Sequence, residues 1–92
     1  MDVVIYSTPK CKYCAEAKRF FEDIGVEYQE INVAEDSEKR AEMVEISGQM
    51  GVPVITINGA VFVGFDEQDL QDEIDSLRYE LEPLSEEDEQ IN

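Results

Sequence analysis

The chain contains no histidine, only two cysteines, and seven lysine and arginine residues against 23 aspartate and glutamate residues. Each shortage removes a class of function. A zinc centre is normally closed by four nitrogen, sulfur or oxygen ligands, so one built here would need carboxylates or a second subunit to complete it. The formal net charge of −16 repels nucleic-acid phosphates and anionic membrane surfaces. Apolar runs such as Val3-Val4-Ile5-Tyr6 are too short for a signal-peptide core and far short of the roughly 20 residues that span a bilayer. A length of 92 residues holds one small domain with a thin core. The expectation is a soluble cytosolic protein, and in a reducing cytosol two close cysteines fit redox use better than a lasting structural bridge.

The acidic surplus is unevenly spread. Residues 1–25 are balanced, with Asp2, Glu16, Glu22 and Asp23 against Lys10, Lys12, Lys18 and Arg19, and those cations flank the cysteines. From Asp66 onward there are twelve acids and a single base, Arg78. After Leu84 the sequence is acidic and nearly without apolar residues, so residues 1–82 are expected to form the folded domain and 83–92 a frayed acidic tail. Solvation of the surface is the favoured reading of this charge; steering of a basic partner and adaptation to high internal salt are alternatives.

Val3 to Tyr6 reads as a buried strand ended by Ser-Thr-Pro. Ala17, Phe20, Phe21 and Ile24 then recur at i, i+3, i+4 and i+7, one face of a helix that Gly25 can close. A second strand is expected over about Glu27 to Val33. Asp36 or Ser37 can cap a second helix through Ser47, with Ala41, Met43, Val44 and Ile46 inward. Val54–Ile57 and Ala60–Val63 flank Asn58-Gly59, the preferred type I′ hairpin turn. Asp66 can cap a last helix with Leu70, Ile74, Leu77 and Leu81 on one face, stopped by Pro83. The order βαβαββα specifies an α/β fold: a small four-stranded mixed sheet with helices on both faces.

Cys11 and Cys14 lie where the first strand feeds the first helix, outside the carboxyl end of a central strand, where open α/β sheets place their sites. A thiol at the first helical turn faces unpaired backbone N–H groups and the positive end of the helix dipole, which stabilise its thiolate. At a pKa of about 8.5 only ~3 % of a thiol is ionised at pH 7, whereas near ~7 about half is. Lys10 and Lys12 add in the same direction. Cys11 is thus expected as the exposed nucleophile and Cys14, one turn deeper, as the resolving thiol. A purely structural bridge across so short a loop would stabilise by only about 2 kcal/mol. A non-enzymatic binding module, or a metal or iron-sulfur carrier that dimerises through Cys11, is the alternative reading.

Cys11-Lys12-Tyr13-Cys14 after a first strand, Gly51-Val52-Pro53 before the third and Gly64-Phe65-Asp66 after the fourth together resemble the glutaredoxin family of the thioredoxin-like fold, over roughly Val3 to Leu77. The resemblance implies a thiol–disulfide oxidoreductase that cycles Cys11-Cys14 between dithiol and disulfide to reduce protein or glutathione mixed disulfides. It implies a cis bond at Pro53, facing the cysteines. It places the backbone of Val52 against an extended cysteinyl peptide or glutathione, flanked by Tyr13, with Asp66 meeting the peptide's amino group. Lys10, Lys12, Gly64 and Phe65 complete the expected binding residues. No bound cofactor or metal is implied, glutathione being a co-substrate, and the protein is expected to act as a monomer.

The chain also departs from the family's usual pattern. Lys12 stands where proline usually follows the first cysteine, Thr8 where a lysine is common, and Val63-Gly64 where a glycine pair is common. Gly64-Phe65 is similar to the redoxins that take electrons from thioredoxin reductase and pass them to ribonucleotide reductase, but those lack an aspartate at the position of Asp66. Either thioredoxin reductase or glutathione is therefore the expected electron source, and disulfide-containing proteins, ribonucleotide reductase among them, are the expected targets.

Overall fold

The β-branched run after Asp2 forms β1 (Val3–Ser7), and the remaining elements follow as α1 (Lys12–Asp23), β2 (Gln29–Asn32), α2 (Ser37–Ser47), β3 (Val54–Ile57), β4 (Ala60–Val63) and α3 (Glu67–Leu81). The computed structural model describes residues 1–81; the stop at Pro83 and the tail expected over 83–92 lie outside the described residues. One four-stranded sheet has the order β2-β1-β3-β4. β1 runs parallel to β2 and antiparallel to β3, which pairs antiparallel with β4. This is the mixed α/β sheet expected from the sequence.

Local chemistry accounts for the element ends. Gly25, at φ 74°, follows the C-cap Ile24 of α1, and its N–H reaches Glu22 O at 3.2 Å; a left-handed residue just past the last helical turn closes free carbonyls. The α2 N-cap is Asp36, whose Oδ1 accepts from Lys39 N–H at 3.0 Å. Asn58 and Gly59, at φ 50° and 91°, make the hairpin turn, with positive φ at both central residues as a type I′ turn requires. Asn58 also fastens the chain start, since its Oδ1 accepts from Asp2 N–H at 2.7 Å and its N–H donates to Asp2 O at 2.8 Å.

Strand alternation divides the apolar residues between two layers. Val3, Ile5, Ile55 and Ile57 face α1 and α3, where Ala17, Phe20, Phe21, Leu70 and Ile74 complete the main core. Tyr6 and Val54 point the other way, toward Val33 and Met43. At about 1.5–3 kcal/mol for each large apolar side chain removed from water, the first layer, with nine buried residues against four, carries most of the burial energy.

The second layer corrects one expectation. Met43 is buried and Val44 half-buried, but Ala41 and Ile46 face solvent. The cause is the small area α2 covers: Met43 is its one buried residue, so the helix rests on a single contact line rather than a broad stripe. On α3, Leu70 and Ile74 are buried and Leu77 partly so, while the Leu81 side chain lies outside the described set.

Candidate functional site

Cys11 is the N-cap of α1, in extended conformation at φ −91°, ψ 113°. An N-cap usually presents a side-chain oxygen to the free N–H groups of the first turn. Here a sulfur does so: Cys11 Sγ accepts from the Cys14 N–H at 3.1 Å. The preceding loop is held by Cys11 N–H donating to Thr8 O at 3.3 Å, and the first helical bond runs from Ala15 N–H to Cys11 O at 3.2 Å. No acidic residue occupies the first turn of α1, so the dipole and the N–H groups act on the sulfur without a competing carboxylate.

The two cysteines are joined in a disulfide with their Cα atoms 5.2 Å apart. Their environments differ as the sequence suggested. Cys11 is half-buried, whereas Cys14 is 1 % exposed and is one of the buried residues of α1. An attacking thiol must be reachable by its substrate; a thiol that only meets Cys11 need not be. Lys10, Lys12 and Tyr13 are exposed, Tyr13 at 57 %. Among the described residues, neither Lys10 nor Lys12 forms an ion pair.

The β3–β4 hairpin assembles the remaining residues. The Val52–Pro53 bond is cis, and Pro53 is fully buried. Pro53 O accepts from the Gly64 N–H at 2.8 Å, which ties the proline segment to the end of β4. Val52 packs against the α2-side cluster. Because Tyr6 is paired with Val54 across β1 and β3, the carboxyl end of β1 and the amino end of β3 share one end of the sheet. That register puts the cysteine loop and the Val52–Pro53 segment at the same end.

The residues after β4 have structural tasks of their own. Gly64 has φ 81°, and a Cβ added there would meet nothing within 4 Å. Its backbone angle, rather than crowding, is what calls for glycine. Phe65 meets Phe20 edge-on, with centroids 5.9 Å apart, and so is anchored on the main core along with Phe62. Asp66 is exposed, and its Oδ1 accepts from the Asp69 N–H at 3.2 Å, capping α3.

One polar cluster escaped the sequence reading. Ser7 Oγ donates to Glu30 Oε2 at 2.7 Å, and Lys18 Nζ donates to the same oxygen at 2.9 Å. These bonds, led by that from Lys18, hold the Glu30 carboxyl below its ordinary pKa. The only hint in the sequence was a serine closing an otherwise apolar strand. Among the described residues, no three cysteines or carboxylates converge as a metal site would require, and no helix is long and apolar enough to cross a membrane.

Comparison with known proteins agrees with the geometry. The profile of the glutaredoxin family matches residues 3–62. An uncharacterised glutaredoxin-like 8.6 kDa protein from the rubredoxin operon of Clostridium pasteurianum is 40 % identical over 68 residues, covering 74 % of this chain and 91 % of that one. Glutaredoxin 3 of Escherichia coli is 36 % identical over 66 residues, covering 72 % of this chain and 80 % of its own. In structure, the Escherichia coli NrdH-redoxin, described as a glutaredoxin-like protein with a thioredoxin-like activity profile, superposes with a TM-score of 0.70 at 28 % identity, over 78 % of this chain and 93 % of that one.

Proposed function

We propose that this chain, which belongs to the glutaredoxin family, carries out thiol–disulfide exchange through Cys11 and Cys14, with Cys11 as nucleophile and Cys14 as resolving thiol. The observation that carries the assignment is Cys11 as a half-exposed sulfur in the N-cap position of α1, accepting the Cys14 N–H, above a buried Cys14. In the reducing direction the Cys11 thiolate attacks one sulfur of a substrate disulfide, and the other sulfur leaves as a thiolate. Cys14 then gives up its proton and attacks Cys11 Sγ. The substrate's second sulfur departs as a thiol, and Cys11 and Cys14 are left as the disulfide. Two electrons have passed from the dithiol to the substrate.

Val52 and Pro53 supply the strand edge for an extended cysteinyl segment. Tyr13 and Gly64 border that edge, Phe65 backs it from the core, and Lys10 and Lys12 favour the thiolate. Asp66 supports glutathione as a reductant, because its exposed carboxylate can meet an amino group while still capping α3. Gly64-Phe65 and the likeness to a redoxin with thioredoxin-like activity support thioredoxin reductase. The targets are disulfide-containing proteins, with ribonucleotide reductase as one of them, and the setting is the cytoplasm.

The test offers oxidised protein NADPH with either thioredoxin reductase or glutathione plus glutathione reductase, and follows NADPH consumption on a disulfide substrate. Turnover in at least one arm is expected, abolished by Cys11→Ser. Under Cys14→Ser a mixed disulfide at Cys11 should accumulate and be visible by mass. No turnover in either arm, or activity that survives Cys11→Ser, refutes the assignment. A coloured protein carrying a stoichiometric metal would favour the carrier reading instead.

A further inference from the structure

Ser7 is a buried polar side chain, 1 % exposed. It ends β1 on the strand face that carries Val3 and Ile5, the face beneath α1. Its hydroxyl donates to Glu30 on β2, and Lys18 on α1 donates to the same carboxylate oxygen. Lys18 follows Cys14 by four residues, so the two are neighbours one turn apart on one side of the helix. Ser7 precedes Cys11 by four residues. The cluster thus joins the helix that bears both cysteines to the two strands beneath it, through a lysine one helical turn after Cys14 and a serine on the strand that leads into Cys11.

We infer that the Lys18–Glu30 pair, held in place by Ser7, sets the dithiol–disulfide equilibrium of Cys11 and Cys14. The inference rests on the redox reading above. A thiolate is favoured by positive potential and opposed by negative potential, and stabilising it stabilises the reduced form. Paired at 2.9 Å, the two charges largely cancel at the sulfurs. Removing either one exposes the other. Glu30→Gln keeps an oxygen that accepts from Ser7 and Lys18 but leaves the ammonium uncompensated, which favours the dithiol. Lys18→Met keeps the aliphatic stem but leaves the carboxylate uncompensated, which favours the disulfide. A loss of packing or helix anchorage would give no such opposition of sign.

The side chains of Lys18 and Glu30 are about a third exposed, so solvent weakens the effect. A change of about three- to tenfold in the equilibrium constant is expected for each single variant. The experiment equilibrates the full chain at fixed pH with mixtures of reduced and oxidised dithiothreitol, whose ring closure supplies the two electrons and two protons that reduce the Cys11–Cys14 disulfide and whose ring opening takes them back. Alkylation and mass measurement then count free thiols. Glu30→Gln should shift the constant at least about threefold toward the dithiol and Lys18→Met by a similar factor toward the disulfide, with the double variant returning to within about twofold of the parent. Shifts of the same sign, or none in variants whose urea midpoints show them folded, overturn the inference alone. Failure of the parent chain to exchange with dithiothreitol at all overturns the redox reading, and this one with it.

Discussion

Tyr6 makes stability depend on alkaline pH in a way that can be calculated and isolated. It lies on the α2 side of β1, 4 % exposed, and its Oη donates to Glu42 Oε2 at 2.9 Å. Burial first, then the hydrogen bond to Glu42 and its charge, push the phenol up to about 12, from about 10 in an unfolded chain. The folded state therefore holds the proton more tightly. Its contribution is complete below about pH 10 and is lost as pH rises through about 12, with a slope of at most about 1.4 kcal/mol per pH unit and a total of about 2–3 kcal/mol. Tyr28, pushed up to about 12 by burial and by Glu22 and Glu30, moves the same way, so the parent chain alone cannot isolate Tyr6. Comparison with Tyr6→Phe can. Near pH 8 the variant should be less stable by about 1 kcal/mol through loss of one hydrogen bond. As pH approaches about 11.5 that deficit should shrink and then reverse, because phenylalanine has no proton to lose. Urea unfolding of both proteins across this range gives the difference directly. A deficit that stays constant with pH would refute the reasoning.

Substitutions at two further residues separate roles that coincide in one side chain or test the main core. Asp66→Ala should cost about 0.5–2 kcal/mol, the usual loss on removing an N-cap, whereas Asp66→Asn should keep the cap and stability while raising KM for a glutathione mixed disulfide; an unchanged KM in Asp66→Asn would remove Asp66 from the binding site. Phe21→Ala empties a fully buried position between the rings of Phe20, at 5.2 Å, and Tyr28, at 6.2 Å. It should cost about 3–5 kcal/mol and lower the melting temperature by at least about 12 °C, and a loss under ~1 kcal/mol in urea unfolding would show that the two sheet faces do not divide the core as described.

What the sequence disclosed depended on how local the responsible interaction is. Asn58-Gly59 announced its hairpin because both positive φ values are demanded within two residues. The buried face of α1 was readable because Ala17, Phe20 and Phe21 repeat at helical spacing against a continuous core. In α2 the same periodicity argument placed Ala41 and Ile46 inward, and it failed because the helix covers too little of the sheet for a second row of contacts. The cysteine pair was legible from its place between a strand and a helix. Gly64 takes a φ of 81°, a backbone angle that its place after the fourth strand did not announce. The Ser7–Glu30–Lys18 cluster was not legible, because it joins residues 23 and 12 positions apart and no local pattern marks such a pairing.

The three helix starts show how an acidic chain can still favour a thiolate. α2 begins with Asp36 as cap and Glu38 in its first turn, and α3 with Asp66 as cap and Glu67 and Asp69 behind it. Carboxylates at those positions answer the free N–H groups and the positive dipole end, and they stabilise the helix. α1 has no acid in its first turn, and its cap is the sulfur of Cys11. The substitution gives up helix stability that an aspartate would have supplied, typically about 1 kcal/mol, and a chain with 23 acids had every compositional opportunity to avoid that loss. What is gained is a helix terminus whose positive potential is directed at the sulfur alone. On the function proposed above Lys10 and Lys12, on either side, reinforce it, while the acidic excess is concentrated from Asp66 onward. The local balance of residues 1–25 is therefore the condition under which the dipole of α1 can act on Cys11, and the net charge of the whole chain is a poor guide to the potential at the site.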